Sequence, residues 1–452
     1  MKSTNDYLKV EIKIKESKWN ILEEDLFSVV IRKNKKRHFL FASKVLGKYI
    51  AVHPYKPLLA ARVLGAAFCE EIENTKVKDL EELLSAWRDE TNGKIFERLR
   101  KHEYTLSMKT LMIGFAETAT GIGHGMMSCF GQPVAYLHTT RANLVEETAD
   151  LIFEEVHSHS VGHECFIKEI ELSEYERVVL IDDEITTGNT ALNLIEAIYK
   201  KAQIKEFVVA SLLDWRSEKE QRRFEALEEK LGIRIQCVSL LKGSIETELL
   251  HEMDDIVLNN EEVIWKSEKI DPHKGFNGEL FYETIQLELG AKRELFTLGQ
   301  DGKIRALSYL TNATGRFGID YITNRKVEAE VEKLGRKLKL QRKYKHTLCL
   351  GAEEFIYIPN LLASYMGEGV QFECSARSPI ITLSKAQYAL KDALCFLSPE
   401  DEQLPIYLYN MKNTGCEEIF WFLERDVQES FKRSMAEAFV RNGIKYVHFV
   451  IC

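Results

Sequence analysis

The chain has 452 residues, 45% of them hydrophobic and only 8 of them proline, with 61 Lys and Arg against 70 Asp and Glu. That length exceeds one ordinary core and predicts two domains, and the formal net charge of −9 disfavours a general nucleic-acid binder. No run approaches the ~18 apolar residues of a membrane span, the N-terminus lacks an apolar signal core, and the nine cysteines are scattered with no CxxC spacing, so a cytoplasmic location without a membrane partner is expected.

In chain order, Leu8, Val10, Ile12 and Ile14 alternate with Lys9, Glu11 and Lys13, which predicts a half-exposed strand at an edge or in a hood. Helices are predicted over 60–73 and 77–100, the second heavily charged. Strands over 111–113 and 134–137 flank a stretch rich in Gly, Ala and Thr at 114–125, where small residues let a backbone approach a ligand closely. The segment 153–163, FEEVHSHSVGH, carries His157, His159 and His163; a zinc site is the alternative there, short of a fourth ligand.

The run 178–181, VVLI, predicts a buried parallel strand, and a helix is predicted from Thr190 with Ala191, Leu194, Ile195 and Ile198 on its apolar face. Between them Asp182 and Asp183 place two carboxylates at the carboxyl end of the strand, where open α/β sheets bind ligands. Thr186, Thr187, Gly188, Asn189 and Thr190 add hydroxyls and backbone N–H groups at a helix N-terminus, which favours an anion. Carboxylates for sugar hydroxyls beside a nest for a phosphate describe a ribose 5-phosphate; the plainer reading is an Asp-rich turn ending a parallel strand. Strands over 207–213 and 233–240 with a helix over 217–231 complete a β/α alternation that calls for a parallel sheet. The acidic, aperiodic stretch after Gly243 marks a boundary, giving domains of 1–245 and 276–452 joined by a connector at 246–275. The basic run 333–345 reads as one solvated helix face.

The 178–198 stretch resembles the phosphoribosyl diphosphate (PRPP) loop of type I phosphoribosyltransferases: an apolar strand, two acids, two variable residues, then a Thr-Thr-Gly-type turn and a helix. The resemblance implies that family's fold, a parallel sheet with flanking helices, here with a second α/β domain. It also implies PRPP and a base or base-like acceptor as substrates, and Mg²⁺ held at Asp182 and Asp183 through PRPP. Glu184 departs from the family's pattern, being either solvated or a further aid to Mg²⁺.

By position, Ala116, Glu117, Thr118, Ala119, Thr120 and Gly121 resemble the family's pyrophosphate loop. Glu117 is out of place beside a polyanion unless it acts through Mg²⁺ or orients a donor such as Arg141. The order matches the family's mobile hairpin as well, which implies catalytic roles for Arg141, His157, His159 and His163 in stabilising the departing pyrophosphate. The segment 39–57 resembles the N-terminal part of orotate phosphoribosyltransferases, with Lys44 in the turn as a phosphate contact. Enzymes for 6-oxopurines carry an acid two residues before the loop glycine; Thr186 stands there, as in orotate enzymes.

In the second half, 347–379 echoes 110–141. Both run strand, Gly, acid, helix, strand, Ser or Thr, Arg, with Gly114 to Arg141 spanning 27 residues and Gly351 to Arg377 spanning 26. Ala376-Arg377-Ser378-Pro379 resembles the Thr-Arg-Ser-Pro signature of the TRSP domain, which follows an orotate-phosphoribosyltransferase-like domain in proteins of bacterial tellurium-resistance and stress gene clusters. This implies biosynthesis of a nucleotide-like metabolite, partner enzymes from the same cluster, and, as a family expectation, a homodimer. Arg316, Glu353, Glu354, Arg377 and Ser378 are candidates for a second site, against internal salt bridges. The rival to the enzyme is a non-catalytic PRPP- or nucleotide-binding regulator, for which no DNA-binding extension is found.

Overall fold

The computed structural model describes residues 2–4, 7–34, 37–88, 93–145, 151–153, 163–166, 170–250, 279–399, 401 and 403–452. Five strands of the first half lie parallel in the order Arg234–Leu249, Glu206–Asp214, Arg177–Ile185, Thr110–Gly114 and Val134–His138. Their apolar runs are continuous because helices cover both faces, so Val178 to Ile181 are wholly buried. The chain fills Thr110–Gly114 and Val134–His138 first, then continues on the opposite side of Thr110–Gly114 with Arg177–Ile185. The order therefore reverses between Thr110–Gly114 and Arg177–Ile185, the point where such sheets hold ligands.

The edges are antiparallel. Leu8–Ser17 pairs with Arg234–Leu249, with Ile12 opposite Ile245, and Lys2–Thr4 lies outside it. The expected alternating strand is thus real, but it extends the main sheet, with Leu8, Val10 and Ile12 in the core. The hood is instead a hairpin of Phe27–Ile31 and Phe39–Ser43. Trp215 packs beneath it, its ring 5.3 Å from that of Phe41 and 6.0 Å from that of Phe27. The helix expected over 77–100 is two, Leu80–Arg88 and Gly93–Leu99, and the one before it is Tyr55–Glu71.

A second sheet is parallel throughout, in the order Tyr282–Gln286, Tyr446–Ile451, Glu418–Leu423, Thr347–Gly351 and Val370–Cys374. Its last four strands repeat the plan of the first sheet. Thr347–Gly351 and Val370–Cys374 stand for Thr110–Gly114 and Val134–His138, and the chain then crosses to the other side with Glu418–Leu423 and Tyr446–Ile451. The echo in the sequence is therefore an echo in topology. Even the glycines match, since a Cβ on Gly114 would meet the Ala119 carbonyl at 2.7 Å and one on Gly351 the Phe355 carbonyl at 2.8 Å.

One apolar cluster runs through both halves, from Phe27 and Val179 to Tyr357 and Phe372. The strand Ile319–Asp320 of the second half adds itself to the edge of the first sheet, opposite Tyr136 and Ala135. The small residues of 114–125 serve this packing. Much of the expected turn is helical, Ala119–Met127, because Gly121 must clear Ile356 and Gly125 must clear Ala61; a Cβ on either glycine would lie 2.7 and 2.9 Å from these neighbours. His124 is stacked between Tyr136 and Tyr357, with centroids 4.9 and 4.0 Å away. Among the described residues no helix is long and apolar enough to cross a membrane.

Candidate active site

The acids of the 182–190 segment sit on the end of a strand, since Arg177–Ile185 continues through all three carboxylates before the turn. The Asp182 carboxylate accepts the N–H of Asp183 at 2.9 Å, which fixes its orientation. The helix Asn189–Ala202 follows, with Gly188 preceding it at φ 70°, a left-handed conformation that disfavours a side chain. A Cβ there would also lie 2.5 Å from the Phe224 ring, so the turn and the neighbouring helix require glycine together.

Glu184, the third acid, is drawn away. Its carboxylate meets Arg37 of the hood at 2.5 Å, and the Arg37 guanidinium lies 4.6 Å over the Phe39 ring. Burial raises the Glu184 pKa and Arg37 opposes that rise. The extra acid is therefore a tether between hood and loop. The second half braces the same hairpin, for the Ile381 N–H donates to the Ile31 carbonyl at 2.9 Å and the Lys33 N–H to the Pro379 carbonyl at 3.2 Å.

Across the switch point stands Glu117, 7% exposed. Its carboxylate is met by Lys48 at 3.4 Å, Arg141 at 3.2 Å and the backbone N–H of Arg377 at 3.2 Å. Burial alone would raise its pKa, but Lys48, Arg141 and Arg377 hold it at about 2. Burial would likewise lower Lys48, yet Glu117, then Tyr49 and Asp183, keep it above the ordinary lysine range. Lys48 also donates to the Thr118 hydroxyl at 2.5 Å. The Ala116 N–H donates to Thr139 Oγ1 at 2.8 Å, and the Ala116–Glu117 peptide is cis. An acid that looked unfit beside a polyanion is thus the counter-ion that gathers two cations at one place.

The expected residues are placed unevenly. Arg141 joins Glu117 and, through its backbone, Glu354 at 2.8 Å. Lys44 donates its ammonium to the Glu24 carbonyl at 2.8 Å, and Lys48, later in the same segment, lies 3.4 Å from the Glu117 carboxylate. A lysine set among Leu46, Tyr49 and Ile50 was the sequence signal for a buried cation. His157 and His159 lie outside the described residues, while His163 begins the strand His163–Cys165, paired antiparallel with Leu151–Phe153. Thr120 gives its hydroxyl to the carbonyls of Glu117 and Glu354 at 3.0 and 2.9 Å, inside the first helical turn.

The second-domain candidates do pair internally. Arg377 grips Glu353, and Arg316 binds Glu424 at 2.8 Å and Glu354 at 3.8 Å. Burial works against ionising Glu354, but Arg316, His138 and Arg377 lower its pKa. Ser378 offers its carbonyl to the Tyr409 hydroxyl at 2.8 Å. Arg141 and Arg377, equivalent positions of the two repeated units, converge on Glu117.

Comparison with known proteins gives these features a context. Residues 26–244 match a family model described as phosphoribosyl transferase, and residues 313–439 match the TRSP domain, described as C-terminal to that transferase. No curated protein matches the chain. Among solved structures, an adenine phosphoribosyltransferase from Rhodothermus marinus is similar at 12% identity and a TM-score of 0.26, over 48% of this chain and 95% of that one. The adenine phosphoribosyl transferase of Trypanosoma brucei, in complex with AMP, pyrophosphate and ribose-5-phosphate, is similar at 16% identity and a TM-score of 0.23, over 40% and 78%.

Proposed function

We propose that this phosphoribosyl transferase, whose TRSP domain lies C-terminal to the transferase domain, moves the ribose 5-phosphate of PRPP onto a planar base with an orotate-type site, yielding a nucleotide-like product. The observation that carries the reading is the pairing of two oppositely charged devices across one switch point. Asp182 and Asp183 face the strand end that carries Glu117 with Lys48 and Arg141.

In this reading Asp182 and Asp183 accept hydrogen bonds from the ribose hydroxyls. Thr186, Thr187, Gly188, Asn189 and Thr190 donate to the 5-phosphate at the helix N-terminus. Lys48 and Arg141 turn towards the pyrophosphate, and Glu117 holds both in place before the substrate arrives. As the bond from C1 to the pyrophosphate oxygen breaks, positive charge grows on the sugar and negative charge on the leaving group, so pre-positioned cations favour the transition state over the ground state. The hood, tied by Arg37 to Glu184 and braced by the second half, excludes water that would otherwise capture C1.

Mg²⁺ suits the residues present. No group of three or more metal-ligating side chains occurs among the described residues, and Glu184 is occupied by Arg37. Two adjacent carboxylates with substrate oxygens fit an ion that keeps several waters and takes few protein ligands. Asp182 and Asp183 would hold it through PRPP, where it supplies positive charge to the leaving pyrophosphate. Thr186, in place of an acid, supports an acceptor other than a 6-oxopurine.

The test is pyrophosphate release from PRPP and Mg²⁺, with orotate, uracil, adenine and hypoxanthine added in turn. Release raised by a pyrimidine above the rate without base is expected. No increase with any base would sink the transfer reading.

A further inference from the structure

The two sheets repeat each other down to single hydrogen bonds. Three residues after Gly114 stands Glu117, and three after Gly351 stands Glu354. The strand Val134–His138 leads into Thr139, Thr140 and Arg141, and Val370–Cys374 leads into Ser375, Ala376 and Arg377. The Thr139 N–H donates to the Gly114 carbonyl at 2.9 Å and the Ser375 N–H to that of Gly351 at 3.0 Å. Their hydroxyls accept the N–H groups of Ala116 and Glu353, at 2.8 and 3.0 Å. The next residue of each run exchanges two backbone hydrogen bonds with a hairpin strand, Thr140 with Glu164 of His163–Cys165 and Ala376 with Tyr407 of Pro405–Tyr409.

Across this repeat the two units trade acids. Glu117 of the first accepts the Arg377 N–H of the second at 3.2 Å, and Glu354 of the second accepts the Arg141 N–H of the first at 2.8 Å. The trade is unequal in one respect. The other oxygen of Glu354 takes the Thr140 hydroxyl at 2.6 Å, whereas Ala376 has no hydroxyl to offer Glu117. Both acids are buried, and their bonds to N–H and O–H donors are charge-assisted. Arg141 is thereby fixed at two points, its guanidinium by Glu117 and its main chain by Glu354. The acid pair of the first sheet is not repeated. Gly114 pairs with Ile181 and Gly351 with Phe422, so Leu423 and Glu424 stand where the first sheet has Asp182 and Asp183, and Glu424 is bound by Arg316 at 2.8 Å.

We infer that Glu354 is a positioning residue of the transfer site, through which the second half completes a site whose ribose acids belong to the first. It acts through Arg141 rather than on the substrate, holding the Thr140–Arg141 main chain so that the guanidinium shared with Glu117 meets the leaving pyrophosphate. This role rests on the proposed transfer reaction. A cation displaced by about 1 Å loses up to ~100-fold in rate, so an acid that touches neither PRPP nor base sets the speed of the step.

The test is a double-mutant cycle of Glu354→Gln with Arg141→Met in the full chain, read by pyrophosphate release and by calorimetric titration with inorganic pyrophosphate and Mg²⁺. Arg316 keeps Glu424 as its partner when Glu354 loses its charge, so the variant leaves no unpaired arginine. Glu354→Gln should lower kcat/KM for PRPP by about tenfold or more in the wild-type background and by less than about twofold once Arg141 is methionine. The same loss in both backgrounds, which a merely structural role gives, or no loss in either, overturns the inference. Should Glu354→Gln not fold, the Thr140 pair decides: Thr140→Val loses activity in the same Arg141-dependent way and Thr140→Ser keeps it, and equal activity of the two overturns the role. A wild type that transfers to no base, yet whose pyrophosphate affinity shows the coupling, would sink the transfer reading and leave the positioning role. Transfer without coupling does the reverse, and a wild type that neither transfers nor binds pyrophosphate overturns both.

Discussion

Replacing Glu117 by glutamine keeps the shape of the side chain and removes the charge that Lys48 and Arg141 share. The carboxyl is held at about 2 in place of its ordinary 4.5, which favours the folded state by about 3 kcal/mol at neutral pH, at ~1.4 kcal/mol per pH unit. The general cost of leaving a buried ion without its partner, about 3–5 kcal/mol, agrees with that figure. Because the folded pKa is depressed, the stabilisation is fully present above the unfolded value of 4.5 and is lost as pH falls through about 2. Urea unfolding of wild type and Glu117→Gln should therefore differ by about 3 kcal/mol from pH 8 down to about pH 5, and by roughly half as much at pH 3. A gap below about 1 kcal/mol at pH 7, or one that does not narrow at pH 3, would refute the assignment of Glu117 as the counter-ion of the cluster.

Lys48→Met should lower kcat/KM for PRPP by about 10- to 100-fold, the worth of one charge-assisted hydrogen bond, whereas Lys44→Ala stays within about twofold; steady-state pyrophosphate release reads both. Arg37→Gln leaves Glu184 as an unpaired charge beside the ribose acids and should raise KM for PRPP about tenfold, with Arg37→Gln plus Glu184→Gln recovering most of it, a coupling that a double-mutant cycle measures. Gly188→Ala combines a left-handed backbone with a Cβ 2.5 Å from Phe224 and should cost about 2–5 kcal/mol in urea unfolding, with weaker PRPP binding by calorimetry.

The parts legible in the sequence are those written in local pattern. The VVLI run, the adjacent acids and the turn before an amphipathic helix specified strand, strand-end turn and helix to within a few residues, because burial on both faces and the need for a φ-positive residue leave few alternatives. The near-equal spans from glycine to arginine in the two halves pointed to an echo between them, and the strand order repeats. What stayed hidden depends on partners far apart in the chain. Lys48 meets a carboxylate 69 positions away, and Arg37 in the basic run 32–37 looks like any solvated residue until Glu184 lies beneath it. Lys44 stands in the turn 43–47 that carries the resemblance. Glu117 and Glu184 read as misplaced charges for the same reason. The glycines of 114–125 were ambiguous because open access for a ligand and close access for a packing helix demand the same missing Cβ.

The most direct test of the account is a calorimetric titration of PRPP with Mg²⁺ into the wild-type chain and into Asp182→Asn with Asp183→Asn. Saturable binding to the wild type, weakened by about 100-fold or more when both carboxylates become amides, is the predicted result, since two charge-assisted hydrogen-bond acceptors are lost together. Equal binding by the two proteins, or none by the wild type, would contradict a phosphoribosyl site at this strand end.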